Sequence, residues 1–411
     1  MTSVVERFIK YVRIDTQSDP QNTTPPSTLK QLDLARVLVD ELKQLGLSQI
    51  ELDEHGFVTA LLPGNVSEKV PVIAFIAHMD TSPDFSDKDV KPQFIENYDG
   101  KDIPFQGVPG EFLSPRDFPE ILAYKGQTII TTDGTTLLGA DDKAGLAEIM
   151  TALEVLIRNP DLPHGAVKIA FTQDEETGRG AAFLDVKKFG ADFAYTLDGG
   201  PIGELNFENF NAAGVTVHVK GRSVHPGSAK DRMINALQVA IEFHNLLPPK
   251  ERPEHTEGYE GFFHLTALTG KVEDAEIHYI VRDHDSDGFE KRKALMNEIS
   301  ARLNKTHGAE IVKLEMRDQY FNMKECILPV HHIVDTAVEA MKLVGVEPRV
   351  EPIRGGTDGA QFSYRGLPTP NLFTGGHNYH GKYEFIPIPS MEKAVEVILK
   401  IIELSSQPRA K

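Results

Sequence analysis

The 411-residue chain has a single cysteine, Cys326, which excludes an intrachain disulfide and any zinc site built on thiolates. That usage suits a reducing cytoplasm. Flanked by Glu325 and Ile327-Leu328, with no motif nearby, Cys326 reads as a small packed apolar side chain rather than a nucleophile. Positive charge is also scarce. The 43 Lys and Arg stand against 61 Asp and Glu, a formal charge of −18, which repels phosphate backbones and anionic lipid and makes nucleic acid a poor partner. No apolar run approaches the roughly 18 residues that a membrane-spanning helix needs. The stretch from Met1 to Gln17 alternates charged and apolar residues as an amphipathic helix does, unlike a secretory signal. Also missing are His-Glu-x-x-His, Gly-x-Ser-x-Gly and a phosphate-cradling glycine loop ending in Lys-Ser or Lys-Thr, so three common chemistries find no footing.

What is present is a folded, soluble composition, 40% hydrophobic and 25% charged, in a chain long enough for two domains. Apolar runs over residues 70–77, 167–171 and 193–197 read as buried parallel strands. Between them lie helical patterns. Residues 29–45 repeat at helical spacing and end at Gly46, and residues 146–157 do so before Asn159-Pro160. Alternating strands and helices predict an α/β fold with a mostly parallel or mixed sheet flanked by helices. Residues 84–127 carry no sustained period and read as a long covering loop. From Ala213 the pattern changes to strand, loop and helix, then strands over 262–269 and 275–281, a helix over 288–305 and a strand over 311–320, which together make a small α+β unit. Helices over 330–344 and 390–404 then resume the first domain. We therefore expect a catalytic domain of residues 1–211 and 322–411 with an inserted domain of residues 212–321.

Four acidic or imidazole-bearing fragments follow the strand-like runs: His78-Met79-Asp80, Asp141-Asp142-Lys143, Asp174-Glu175-Glu176 and Leu197-Asp198-Gly199-Gly200. Carboxyl ends of strands in such sheets line one crevice, so these fragments converge there. Imidazole nitrogen and carboxylate oxygen suit zinc and similar ions, and a pair of ions requires a carboxylate that bridges them. In His78-x-Asp80 the two side chains share a face, which lets Asp80 accept the second imidazole N–H. Each fragment alone has an ordinary reading: Asp141 or Asp142 as a helix cap, Asp174 to Glu176 as a solvated acidic loop. Four together at strand ends point to a metal centre. His377 and His380, both in a glycine-rich segment, compete for the last imidazole, and spacing does not choose between them.

These fragments, with Gly139 to Gly145 and Ser223-Val224-His225-Pro226-Gly227, resemble the co-catalytic zinc peptidases of the aminoacylase and carboxypeptidase G superfamily over the whole chain. The strings Lys220 to Lys230, Tyr195 to Gly200 and His380 to Phe385 are similar to its tripeptide aminopeptidases. The resemblance implies a zinc-exopeptidase fold whose inserted domain is ferredoxin-like and serves as lid or dimerisation unit. It also implies two zinc ions per chain, with Asp141 bridging, His78 and Asp198 completing one site, and Glu176 with His380 the other. Glu175 becomes the general base that takes a proton from the attacking water, Asp80 orients His78, and His225 stabilises the oxyanion. Arg282 and Arg354 offer planar forks for a peptide carboxylate. The implied enzyme is cytoplasmic, monomeric or homodimeric, and cleaves the first residue from tripeptides; a dipeptidase or N-acyl amino acid amidohydrolase of the same superfamily, or a metal-binding protein without turnover, are the alternatives.

Overall fold

Ile, Ala and Phe fill both faces of the strand Ile73–His78 up to its terminal His78; every residue of the strand is buried, and a strand without a polar face has to lie inside a sheet covered on both sides. In the computed structural model, which describes residues 1–407, that sheet has eight strands. Their order is Ser48–Leu52, Val58–Leu62, Val167–Thr172, Ile73–His78, Phe193–Gly199, Asn371–Phe373, Glu204–Asn206 and Arg349–Val350. The centre is parallel: Ile73–His78 pairs in parallel with both Val167–Thr172 and Phe193–Gly199. Antiparallel pairs at Ser48–Leu52, Val58–Leu62 and Glu204–Asn206 make the whole sheet mixed.

The helix Ala140–Arg158 packs on the two central strands, and the helices Val4–Val12 and Ile388–Ser405 pack on it in turn. On the opposite face Phe362, from the helix Asp358–Tyr364, joins Ala74, Ile76, Ala170 and Ala194 in a buried cluster. Gly46 ends the helix Gln31–Leu45 at a left-handed φ of 82°, the conformation for which a residue without Cβ is favoured. Residues 84–127 differ from the expected loop. Short strands at Gln93–Ile95, Ile103–Pro104 and Phe112–Leu113 surround a core of Tyr98, Phe105, Leu113, Ile121 and Tyr124; its apolar residues are too irregularly spaced to show as a period.

The chain divides into two compact units, one of residues 1–207, 325–351 and 357 onward, the other of Glu208–Lys324 and Pro352–Gly356. The division lies a few residues outside 212 and 321. Asn209, Asn211 and Asn322 explain why: Asn322 Oδ1 accepts from Asn209 N at 3.1 Å, and Asn211 Oδ1 accepts from Asn322 N at 2.9 Å, which laces the two passages together within the second unit. That unit holds a four-stranded antiparallel sheet ordered Phe262–Gly270, Asp274–Asp283, Asn211–Lys220, Val312–Tyr320. Helices Ala236–Leu246 and Ser286–His307 pack on it through Val217, Val239, Phe243, Ile277, Tyr279 and Leu303. No helix among the described residues is long and apolar enough to cross a membrane.

Candidate metal centre

Two donor groups form in the first unit, His78 with Asp141 and Asp198, and Asp141 with Glu176 and His380; in each the donor atoms lie within 4.8 Å of one another. Strand ends deliver His78 and Asp198, a turn at the mouth of the helix Ala140–Arg158 delivers Asp141, and the turn after Val167–Thr172 delivers Glu176. His78 Nε2 lies 2.8 Å from Asp141 Oδ1 and 3.4 Å from Asp198 Oδ1. His380 Nε2 lies 3.3 Å from Asp141 Oδ2 and 3.1 Å from Glu176 Oε2. Asp141 is therefore common to both groups.

The electrostatics follow from this crowding. Burial opposes charge on His78, but Asp141 and Asp198 outweigh it and hold the imidazole well above its usual pKa. His380, against the same burial penalty, is pushed up to about 12 by Asp141 and Glu176. Burial and then Asp141 raise Glu176 to about 7, and burial raises Asp198 to about 6 although His78 pulls it down. Burial and the carboxylates of Asp198, Asp358 and Glu176 push Glu175 well above the carboxylate range. Such a set is stable only when positive charge is supplied, by protons on the imidazoles or by divalent ions. Two imidazoles and three carboxylates without a thiolate fit zinc or a related ion, and Glu176 Oε1, buried without a hydrogen-bond partner, leaves an acceptor free for one.

Backbone clamps place these groups. Asp80 differs from expectation: His78 Nδ1 faces its backbone carbonyl at 3.0 Å, and its carboxylate, 3.5 Å from that nitrogen, accepts instead from Glu175 N at 3.0 Å and Glu176 N at 3.2 Å. An extended backbone brings the nearer carbonyl to the ring first. Asp174, at a left-handed φ of 53°, holds the other side of the turn, accepting from Ser27 N at 2.7 Å, Ser27 Oγ and Gln31 Nε2 at 2.8 Å. Asp142 accepts from His78 N at 3.0 Å and Gly145 N at 3.2 Å, so it caps the helix and ties it to the strand. Glu384, given no role from sequence, accepts from Leu138 N, Gly139 N and Asp141 N; its only signal was its place in the string from His380 to Phe385.

His377 is outside both groups. Burial and Arg349 lower its pKa to about 4, its Nε2 meets Tyr124 Oη at 2.7 Å, and its ring stacks on Phe385. In the second unit, His225 is exposed on a turn where its Nδ1 accepts from Gly227 N. Arg282 Nη1 donates to the Arg354 carbonyl at 3.0 Å, while its Nε has no partner. Arg354 is a correction. Its Nη1 donates to the carbonyls of Gly258 and Glu260 and its Nη2 to Thr256, and its guanidinium lies over Phe210 and Phe262. A fork filled with carbonyls fastens Pro352–Gly356 to the second unit and is not open to a substrate carboxylate.

The pattern of peptidase family M20/M25/M40 matches residues 133–404. Peptidase T of Clostridium novyi is 60% identical over 407 residues, covering 99% of this chain and 100% of that one. Peptidase T of Halothermothrix orenii is 61% identical over 404 residues, 98% and 99% of the two chains. Among solved structures, aminopeptidase PepT from Bacillus cereus is similar with a TM-score of 0.78 at 25% identity, covering 98% of each chain. A dinuclear metal binding peptidase of the M20 family from Bacillus subtilis shares the fold, with a TM-score of 0.65 at 14% identity over 98% of each chain.

Proposed function

The chain belongs to peptidase family M20/M25/M40, and from that premise we propose that it is a metallo-aminopeptidase releasing the N-terminal residue of tripeptides, with two zinc ions held by the carboxylate and imidazole cluster. One observation carries the reading. The two oxygens of Asp141 face different imidazoles, His78 at 2.8 Å and His380 at 3.3 Å, the disposition required of a carboxylate that serves two donor groups at once. His78 with Asp198 would hold one ion and Glu176 with His380 the other.

Divalent ions held there would supply Lewis acidity, polarising a peptide carbonyl and acidifying water. Glu175 takes the proton from the attacking water and passes it to the leaving amine. Its neighbour Glu176 belongs to a donor group and Glu175 does not, so the turn held by Asp80 separates the two tasks: one carboxylate binds, the next moves a proton. His225 donates to the developing oxyanion and Arg282 takes the peptide carboxylate. A single cysteine fits a cytoplasmic peptide-processing enzyme.

Glu175→Gln should leave folding and zinc content intact while kcat falls by about 10²–10⁴-fold. Metal analysis joined to kinetics on free and N-acetylated di-, tri- and tetrapeptides checks this. Full activity in the variant removes Glu175 from the chemistry, and preference for acetylated substrates, or equal rates on dipeptides, moves the assignment to an N-acyl amidohydrolase or a dipeptidase.

A further inference from the structure

Glu384 lies in neither donor group, yet its carboxylate, only 1% exposed, is wholly committed to one of the turns that build them. Oε2 accepts from Leu138 N at 2.7 Å and Gly139 N at 2.8 Å, and Oε1 accepts from Asp141 N at 3.1 Å. The turn's other fixed point is the Asp142 carboxylate, which accepts from His78 N and Gly145 N but leaves the N–H groups of Leu138, Gly139 and Asp141 to Glu384. Gly139 has no side chain to cap the helix, and the backbone at Asp141 and Asp142 is non-helical, with ψ of 105° and 33°. Where no helical register fixes a residue, its orientation is set by whatever holds its N–H groups, and here that is Glu384. Three N–H donors call for a group that only accepts; an amide would turn its NH2 donor toward at least one of them.

The same loop carries a second part of the centre. His380, four residues earlier, meets both Asp141 Oδ2 and Glu176 Oε2, and the loop is closed by paired backbone bonds between His377 and Phe385 at 2.9 and 3.1 Å. One short closure thus presents an imidazole to the Asp141 carboxylate and grips the backbone behind that carboxylate.

We infer that Glu384 is a positioning residue that sets the Asp141 carboxylate astride the two donor groups, so that the affinity of both for divalent cations depends on it. The inference rests on the metal-centre reading above. Its test is a titration of the apoproteins, wild type and Glu384→Gln, with Zn2+ against a chromophoric chelator. The variant should bind Zn2+ about 10–100-fold more weakly, with kcat reduced more than KM is changed and partly restored by excess Zn2+. Circular dichroism and the melting temperature of the metal-free forms report folding separately. A folded E384Q with wild-type Zn2+ affinity overturns the inference, as does lost activity that follows apoprotein melting alone. Glu384→Asp keeps the acceptors but withdraws them by one methylene, and should fall between the two. If E384Q does not fold, E384D carries the comparison and wild-type affinity in it overturns the inference; failure of both to fold also overturns it, leaving Glu384 a role in folding only. Wild-type protein that binds no Zn2+ in this titration would instead remove the metal-centre reading itself.

Discussion

Replacing Gly145 by alanine measures how closely the helix Ala140–Arg158 and the strand Phe193–Gly199 are fitted beside the metal centre. In an open helical position this change stabilises by about 1 kcal/mol. Here the new Cβ would lie 2.1 Å from the Leu197 carbonyl oxygen, 2.5 Å from Asp142 Oδ1 and 3.0 Å from Leu197 Cβ. The Leu197 carbonyl belongs to a strand paired on both sides and has no freedom to swing away, so helix and strand must separate by about 1 Å to restore ordinary contact. Overpacking of this kind costs about 1–3 kcal/mol, enough to cancel or reverse the propensity gain. The displacement falls on the chemistry. Asp198 adjoins Leu197, and the Asp142 carboxylate that the methyl presses on also accepts the backbone N–H of His78. A shift of about 1 Å in reacting groups costs about 10²-fold in rate. G145A should therefore melt no higher than wild type, and usually lower, with kcat on a tripeptide reduced by about two orders of magnitude. Calorimetry and steady-state kinetics check both. A variant that is stabilised and keeps its kcat would refute the close fit and the coupling of that contact to the site.

Two further outcomes rest on single buried contacts. Arg7 Nη2 lies 2.6 Å from Glu154 Oε2, both side chains nearly inaccessible. Burial works to raise Glu154, but Arg7 and Arg158 prevail and bring its carboxyl down to about 2. A pKa lowered by folding adds stability that is complete above the ordinary value of 4.5 and drains away as pH falls from there toward the folded value. Wild-type melting temperature should decline through that window more steeply than that of Glu154→Gln, which itself costs about 1–3 kcal/mol at neutral pH; parallel pH curves would discount the pair. His377→Phe keeps the ring stacked on Phe385 but deprives the Tyr124 hydroxyl of its partner. It should lower stability by about 1–3 kcal/mol with metal content unchanged, and a loss of bound metal would put His377 among the ligands.

Apolar runs marked the central strands because strands buried on both faces leave no polar residue to interrupt them, and Gly46 marked a helix end because few other residues take a φ of 82°. His78, Glu176 and Asp198 stood out for a related reason, since acids and imidazoles directly after such runs have few ordinary uses in one crevice, whereas His380 was chosen over His377 by resemblance alone. Sequence pattern records which face of an element is buried, but not which distant group fills a donor. The partners of Arg354 lie about a hundred residues away, at Thr256, Gly258 and Glu260, so nothing near Arg354 revealed that its fork was taken. The small core around Tyr98 and Phe105 was hidden likewise, since residues scattered over turns and two-residue strands produce no period. Asp80 shows a further limit: spacing put its side chain and the imidazole on one face, while the nearer backbone carbonyl took the ring nitrogen.

The groups that meet at the centre are carried by backbone that ordinary secondary structure does not hold. Asp174 and His380 both sit at positive φ, 53° and 68°, which costs a non-glycine residue about 1–2 kcal/mol, and Asp141 and Asp142 leave the helical region. Such conformations persist only where the surroundings over-determine them. Here three carboxylates outside both donor groups supply that determination: Asp80 and Asp174 on the turn that bears Glu175 and Glu176, and Glu384 on the turn that bears Asp141. Asp80 and Glu384 grip main-chain N–H groups, which cannot change rotamer, and Asp174 grips Ser27 through its N–H and hydroxyl and the Gln31 amide. This leaves the Asp141 and Glu176 carboxylates free to face the cluster while their Cα positions stay fixed, an arrangement suited to metal binding, which needs ligand atoms held to within about half an ångström.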